Sequence, residues 1–385
     1  MKKIMLIFVL LLMSLTGCWD RAELEEVGFV IGLAFDPNHD NPKTFDTTFH
    51  VAIPSAFSGG AAEGDSGGNS PFFNITSTGV TNFNMIRDIN KRRSRSLNFE
   101  HLKVIVINEE LARQAFITGV LDLYTRDHEM RRKTHVLVSK GDAKEVYMDK
   151  LPLEDMPAIS IEMIEDNSPQ VLEMIETRDI GTISEKMNAN QSYLISGINK
   201  EQREDMKISG AALMRSKDNK MITWLSEEDV KGYNWVMGKA ENGIVEATAE
   251  EGESFVFEVT SHDTKVHYIR EDDENLFNVI IKTEGTFSES WIPGLEIDNA
   301  ETIKKMEQII SEKIENQATT LINKMQEEWF CDVFYFGSLI KRKEYQYWKQ
   351  IREDWEGEAG LFKEANVEVD VEVKISHYMT QEKTS

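Results

Sequence analysis

The chain has 385 residues, 41% of them hydrophobic and 29% charged, with a formal charge of -24. That length leaves room for two or three domains, and that composition excludes both a disordered chain and a membrane-embedded body. The excess of acid excludes nucleic acid as a partner, because binding phosphates needs a concentrated basic surface. The one clustered basic run, Lys91-Arg92-Arg93-Ser94-Arg95, is too small to reverse this. It reads as a solvated helix end or loop, and the other reading is a contact with a partner or a lipid headgroup.

At the start, Lys2 and Lys3 form a short positive region and Ile4 to Met13 is an unbroken apolar run. A bilayer core needs about 20 residues, so this run predicts a signal segment and not a membrane span. It leads into Leu15-Thr16-Gly17-Cys18, which matches the bacterial lipobox. There a thiol takes a diacylglycerol, and small neighbours let the backbone enter the processing enzymes. Cys18 is therefore the expected lipidation site, as an S-diacylglycerol with N-acylation (palmitate, for example) left open. Residues 1–17 would be removed. Cleavage takes away Lys2 and Lys3 and no acid, so the mature charge is -24 - 2 = -26. Two acyl chains, at about 0.8 kcal/mol per buried CH₂, suffice for stable anchoring without a polybasic face. With Cys18 lipidated, the second cysteine, Cys331, has no partner in the chain and reads as a buried inert residue.

Beyond the anchor, Val27 to Phe35 and Phe45 to Ile53 read as strands rich in β-branched and aromatic residues. Residues 58–70, SGGAAEGDSGGNS, read as a mobile Gly-rich surface loop. A helix is predicted over Asn82 to Arg95, a strand over Leu102 to Ile107 and a helix over Glu109 to Leu123. A strand over Thr134 to Ser139 and a short helix over Asp142 to Met148 follow. Alternation of this kind predicts a mixed α/β layer over residues 18–150. Residues 151–205, punctuated by Pro152, Pro157 and Pro169, read as a helical subdomain or second small domain.

A C-terminal domain is expected over 206–385. It opens with a hairpin, Ile208 to Arg215 and Met221 to Leu225, and then a helix capped at Ser226. Phe255 to Val259, Val266 to Arg270 and Phe277 to Glu284 suggest an antiparallel sheet. Asp298-Asn299-Ala300-Glu301 offers a capping box for a long helix to about Trp329. Ile303, Met306, Ile310, Ile314, Leu321 and Met325 make its apolar stripe. Val367, Val369, Val371, Val373 and Ile375 alternate with charged residues, the period of a strand with one wet face. The fold class is thus α+β, multi-domain, with mixed sheets flanked by helices and one long amphipathic helix in the C-terminal domain.

Catalytic patterns are missing. There is no G-x-S-x-G, H-E-x-x-H or paired C-x-x-C. His262 and His267 are five apart, on opposite faces of a strand, and so are not a metal pair. Glu271-Asp272-Asp273-Glu274 reads as a solvated turn and not a calcium loop. No catalytic residue, metal or cofactor is expected.

Four segments together resemble the Ger(x)C family of spore germination proteins, the lipoprotein C subunits of nutrient germinant receptors. The first runs from Gly17-Cys18-Trp19-Asp20-Arg21 to Gly28-Phe29-Val30-Ile31-Gly32. The second is His101-Leu102-Lys103-Val104-Ile105-Val106-Ile107 with Glu110-Leu111-Ala112. The third joins Gly210-Ala211-Ala212-Leu213, Trp224-Leu225-Ser226-Glu227-Glu228 and Gly232-Tyr233-Asn234-Trp235. The fourth is Asp332-Val333-Phe334-Tyr335-Phe336-Gly337 with Tyr345, Tyr347-Trp348 and Trp355. Tyr335 departs from the pattern, which leads one to expect a small residue such as glycine.

The resemblance implies three domains, no enzymatic activity, and assembly with the A and B subunits of a germinant receptor. It places the protein on the outer face of the inner spore membrane, held by lipid on Cys18. Two other readings stay open at this point. A substrate-binding lipoprotein of a transporter would show two similar lobes around a cleft. A tethered hydrolase would need convergent polar residues in a pocket.

Overall fold

This computed structural model describes residues 27–53, 70–126, 130–202, 205–249, 252–291 and 300–378. Residues 1–17, Cys18, the Gly-rich segment apart from Ser70, and the Asp298-Asn299 half of the expected capping box lie outside the described residues.

The first sheet has nine strands. They are β1 Val27–Pro37, β2 Phe45–Ala52, β3 Phe72–Gly79, β4 Ser96–Asn98 and β5 Val104–Asn108, then β6 His135–Ser139, β7 Tyr193–Gln202, β8 Asp205–Arg215 and β9 Lys220–Leu225. Their order is β3-β2-β1-β5-β6-β7-β8-β9, with β4 paired to the start of β1. β1, β5, β6 and β7 run parallel, while β2–β3 and β8–β9 are antiparallel flanks. All five residues of β5 are buried, as a parallel strand covered on both faces requires.

On one face lie α1 Asn82–Arg92, α2 Glu109–Arg113, α3 Phe116–Arg126 and α5 Ile180–Asn188, over Leu33, Phe35, Ile105 and Ile107. On the other, Tyr147 and α4 Pro157–Glu165 cover Ala34, Val104 and Val106.

The second sheet has four strands, β10 Ile244–Thr248, β11 Ser254–Glu271, β12 Glu274–Ser290 and β13 Asn366–Tyr378, in that order. Its faces alternate buried and exposed. The buried face packs under α6 Glu227–Met237 and α7 Ala300–Lys324. Helix α7 continues as one π turn, Met325–Trp329, so the expected long helix spans residues 300–329. Met306, Ile310, Ile314, Leu321 and Met325 of the predicted stripe are buried, and Ile303 packs at its edge. β13 carries the valine alternation and joins β12 in parallel, Val369 opposite Val279.

Several sequence readings shift in the structure. The helix expected from Glu109 to Leu123 is broken at Ala115, which has φ of 63°. A right-handed helix needs a negative φ at every residue, so none can run through that position. The two strands expected between Phe255 and Arg270 are one, β11. The polar stretch between them continues the long hairpin with β12, with Ser261, Asp263 and Lys265 exposed and His262 and Thr264 turned to Trp235. That hairpin closes at Asp272-Asp273 with φ of 50° and 67°. Two positive φ values make the mirror-image turn that matches strand twist. The acidic cluster 271–274 is therefore a hairpin tip. Strands β3 and β7 carried too many short polar residues to be read as strands.

The hairpin β8–β9 extends the first sheet. Leu194, Ala211, Leu213 and Leu225 then share one core with Val230 and Tyr233 of α6 and with the second sheet. Residues from about 190 to 225 are thus the mechanical link between the two sheets.

Candidate functional site

The third and fourth segments quoted for the family resemblance meet at the seam between the sheets, whereas Gly28 to Gly32 lie in β1 and His101 to Ala112 run into β5 and α2. The centre is Asp332, which is almost fully buried. Its carboxylate accepts from the Phe336 backbone N–H at 3.0 Å, the Gly337 N–H at 2.8 Å and the Trp355 indole N–H at 2.8 Å. It thereby closes the N-terminus of α8, Phe336–Lys343. Burial raises its pKa, and the three donors oppose the rise.

Gly337 has no substitute here, because a Cβ would lie 2.5 Å from the Trp348 ring and 2.9 Å from Trp355 Nε1. Tyr335, the departure from the family pattern, has φ of 61°. Glycine enters that left-handed region freely, whereas an L side chain costs about 1–2 kcal/mol. The expectation of a small residue there thus has a backbone cause.

Glu356 is the second member. Its carboxylate accepts from Ser192 Oγ at 2.6 Å, Ser216 Oγ at 2.8 Å and the Asp332 N–H at 3.1 Å. Ser192 and Ser216 flank β7 and β8, so this one side chain bonds the C-terminal region to the first sheet. Burial pushes its pKa up to about 7. Between its ordinary value near 4.5 and about 7 the folded state holds the proton that the unfolded state has lost, so stability falls as pH rises through that window. Glu356→Gln removes this slope. From pH 5 to pH 8 the variant should gain on the wild type by about 1–3 kcal/mol, discounted because Glu356 is only half-buried as a residue. Urea midpoints at the two pH values measure it; parallel curves would refute it.

At the same seam a cavity of about 170 Å³ is lined by Arg178, Lys186, Tyr233, Lys239 and Tyr335, with Glu176 and Glu185. Arg178 donates to Tyr233 Oη at 3.1 Å, and the Lys186 ammonium stands 3.7 Å over the Tyr335 ring. Burial and the Arg178 charge both depress the Lys186 pKa.

The third signature segment holds α6 in place. Ser226 and Asp229 form a reciprocal capping box. Asn234 donates to the Leu172 and Met174 carbonyls at 2.9 and 2.8 Å. Trp235 Nε1 donates to Gln317 of α7 at 2.9 Å. Trp224 Nε1 reaches Glu109 at 2.9 Å, joining β9 to α2.

These contacts position elements. Among the described residues no group of three or more His, Cys, Asp or Glu is arranged to hold a metal. His262 faces inward against Trp235, its pKa pushed down to about 4 by burial, while His267 is exposed on the other face. Cys331 is free and buried, its thiol pushed up to about 12. Lys91 to Arg95 are all exposed. A more open apolar groove of about 510 Å³ is lined by Leu151, Leu153, Met163, Ile164 and Met206, and Leu153 is 94% exposed. Sequence reasoning missed Glu356, Ser192, Ser216 and Arg178. Nothing local marks them, since each acquires its role from a partner distant in the chain. No helix of the described residues is long and apolar enough to cross a membrane.

The fold and the seam together define a two-sheet α+β protein whose signature residues hold its parts in register. Residues 20–200 match the spore germination protein N-terminal domain, and residues 209–379 match the spore germination B3/GerAC-like C-terminal family. The chain belongs to this family of spore germination proteins. It is 26% identical to spore germination protein B3 of Bacillus subtilis (strain 168) over 96% of each chain. It is 26% identical to spore germination protein A3 of the same organism over 98% of each chain. The crystal structure of the GerBC protein matches with a TM-score of 0.62 at 23% identity, covering 90% of this chain and 97% of that one. The α+β fold with two mixed sheets and a long C-terminal helix is the same.

Proposed function

We propose that this protein is a non-enzymatic, lipid-anchored subunit of a nutrient germinant receptor, acting through contacts with A and B subunits to trigger spore germination. The observation that carries the reading is family membership spread over nearly the whole chain, residues 20–379. The seam adds support, because Asp332 caps a helix, Glu356 bonds the C-terminal region to the first sheet and Asn234 holds α6. The sheets differ in strand number and order, unlike the two similar lobes expected of a transporter's substrate-binding lipoprotein. The anchor is the lipid on Cys18, and the site of action is the outer face of the inner spore membrane.

Deleting the gene in a strain lacking its other receptor loci should abolish germination with one class of nutrient while sporulation and nutrient uptake stay normal. Unchanged germination with every nutrient would sink the proposal. For the anchor, Cys18→Ala should eliminate incorporation of labelled palmitate and move most of the protein out of the membrane fraction, since no other strong membrane affinity is expected. Wild-type membrane retention with a correctly cut precursor would show that partners, and not the lipid, hold it.

A further inference from the structure

The parallel strands bring an exposed basic edge beside the tether. β4 pairs with the very start of β1, Ser96 opposite Val27, so Arg95 adjoins the residue paired with the first described position. Lys91, Arg92, Arg93 and Arg95 are all exposed. Arg92 pairs with Asp88 at 3.0 Å, whereas Lys91, Arg93 and Arg95 make no ion pair with another described residue. Lys91 and Arg92 have a local reason to be basic, since they sit in the last turn of α1 and offset its carbonyl ends. Arg93 and Arg95 lie beyond the helix, and that reason does not reach them.

The chain segment that carries them is poor in acid, and Lys103 at its end pairs with Glu162 at 3.0 Å. Between Asp88 and Lys103 the acids are Asp88 and Glu100, against Lys91, Arg92, Arg93, Arg95 and Lys103. Phe72 pairs with Ala52, and Ala52 with Phe29, so β3 begins at this same end and presents the exposed Phe73 there. A second exposed basic group, Arg131-Arg132-Lys133, precedes β6 on the same side. The pairing of β1 with β5 and of β5 with β6 puts His135, two residues after Lys133, level with Gly32, so the strand behind this group starts set back by the stretch of β1 from Val27 to Gly32. At the usual rise of a strand that stretch is about 17 Å long. Screening at physiological salt acts over about 8 Å, roughly half of it. A surface at the tether therefore meets first the group whose neighbour Ser96 pairs with Val27.

Eight residues separate Cys18 from Val27. Fully extended, that length of chain reaches at most about 30 Å. The rest of the mature body is acidic and is repelled by an anionic surface. We propose that the edge formed by Lys91, Arg92, Arg93 and Arg95 rests on anionic lipid headgroups and turns the first sheet end-on to the bilayer that holds the Cys18 lipid. This orientation rests on the anchored reading of Cys18, and its test is separable from that reading.

The mature chain beginning at Cys18 is coupled through that thiol to a maleimide-headgroup lipid. Cys331 does not compete, being buried with its thiolate suppressed. The vesicles are phosphatidylcholine alone or with about one third phosphatidylglycerol. Acetylation of Lys91 is read by mass spectrometry against the exposed Lys341. Lys91 should react roughly threefold or more slowly on the anionic vesicles than on the neutral ones, and about 0.5 M salt should erase the difference. Arg93→Glu with Arg95→Glu should also erase it. Equal rates on the two vesicles would overturn the proposal. So would equal protection in free solution, which would mean that Asp20, Glu23, Glu25 and Glu26 of the tether cover the edge. Protection of Lys341 as strong as that of Lys91 would overturn it as well. Because the coupling is chemical, loss of palmitate labelling in cells would fail the Cys18 reading alone.

Discussion

Asp332→Ala should cost the protein about 3–5 kcal/mol, because one deletion strands three buried donors at once, and each unsatisfied buried group costs about 1–3 kcal/mol. The donors are the Phe336 and Gly337 N–H groups and the Trp355 indole. Loss of the carboxylate frees the start of α8 and the ring that packs on Phe277 and Phe362. Asp332→Asn keeps the shape and one acceptor oxygen but turns an N–H₂ toward donors, so it should lose an intermediate amount. Urea unfolding of the mature chain followed by tryptophan fluorescence reads this directly, as Trp355 and Trp348 are ring neighbours at 6.0 Å. A loss below about 1 kcal/mol for the alanine variant would mean that water replaces the carboxylate, and the seam would lose its centre.

The second large effect is expected at the crossing of α6 and α7. Gly232 lies where a Cβ would stand 2.4 Å from the Gln317 carbonyl oxygen and 3.1 Å from Leu321 Cβ. Backbone cannot swing away as a flexible side chain would, so Gly232→Ala must push the helices apart. Overpacking of this kind costs about 1–3 kcal/mol or more. The bonds that depend on the close approach are Trp235 to Gln317, Gln317 to Glu228 at 2.8 Å and Lys324 to Asp229 at 2.6 Å. Gly119 in α3 is exposed, and a Cβ there would meet nothing within 4 Å. The same substitution at Gly119 should instead stabilise by about 0.5–1 kcal/mol through helix propensity. Thermal midpoints of the two variants should therefore move in opposite directions, and a shared direction would refute the steric argument.

Element types were largely legible where one face of an element is apolar and the other wet. The valine alternation of β13 and the stripe of α7 needed no tertiary information, because burial of one face imposes the periods of 2 and 3.6. The N-cap at Ser226 was equally plain. Legibility failed in β11, where a hydrophilic middle looked like a turn, and in β3 and β7, where short polar residues masked strands that pair with neighbours far along the chain. The family was legible through the resemblance, and of its residues Asp332, Gly337, Trp355, Gly232 and Trp235 proved to lie at the seam.

By itself the sequence determined the acid balance, the lipobox expectation at Cys18, the α+β class and the family, all of which depend on composition or on residues close together in the chain. Only the tertiary structure decided that β8 and β9 complete the first sheet, that Glu356 joins Ser192 and Ser216, and that Tyr335 occupies a left-handed position. It alone brought Lys91 to Arg95 beside Val27. The reason is the same in each case: a hydrogen bond, a steric limit or a shared edge between distant segments exists only after strand pairing has set the register, and no local pattern encodes that pairing.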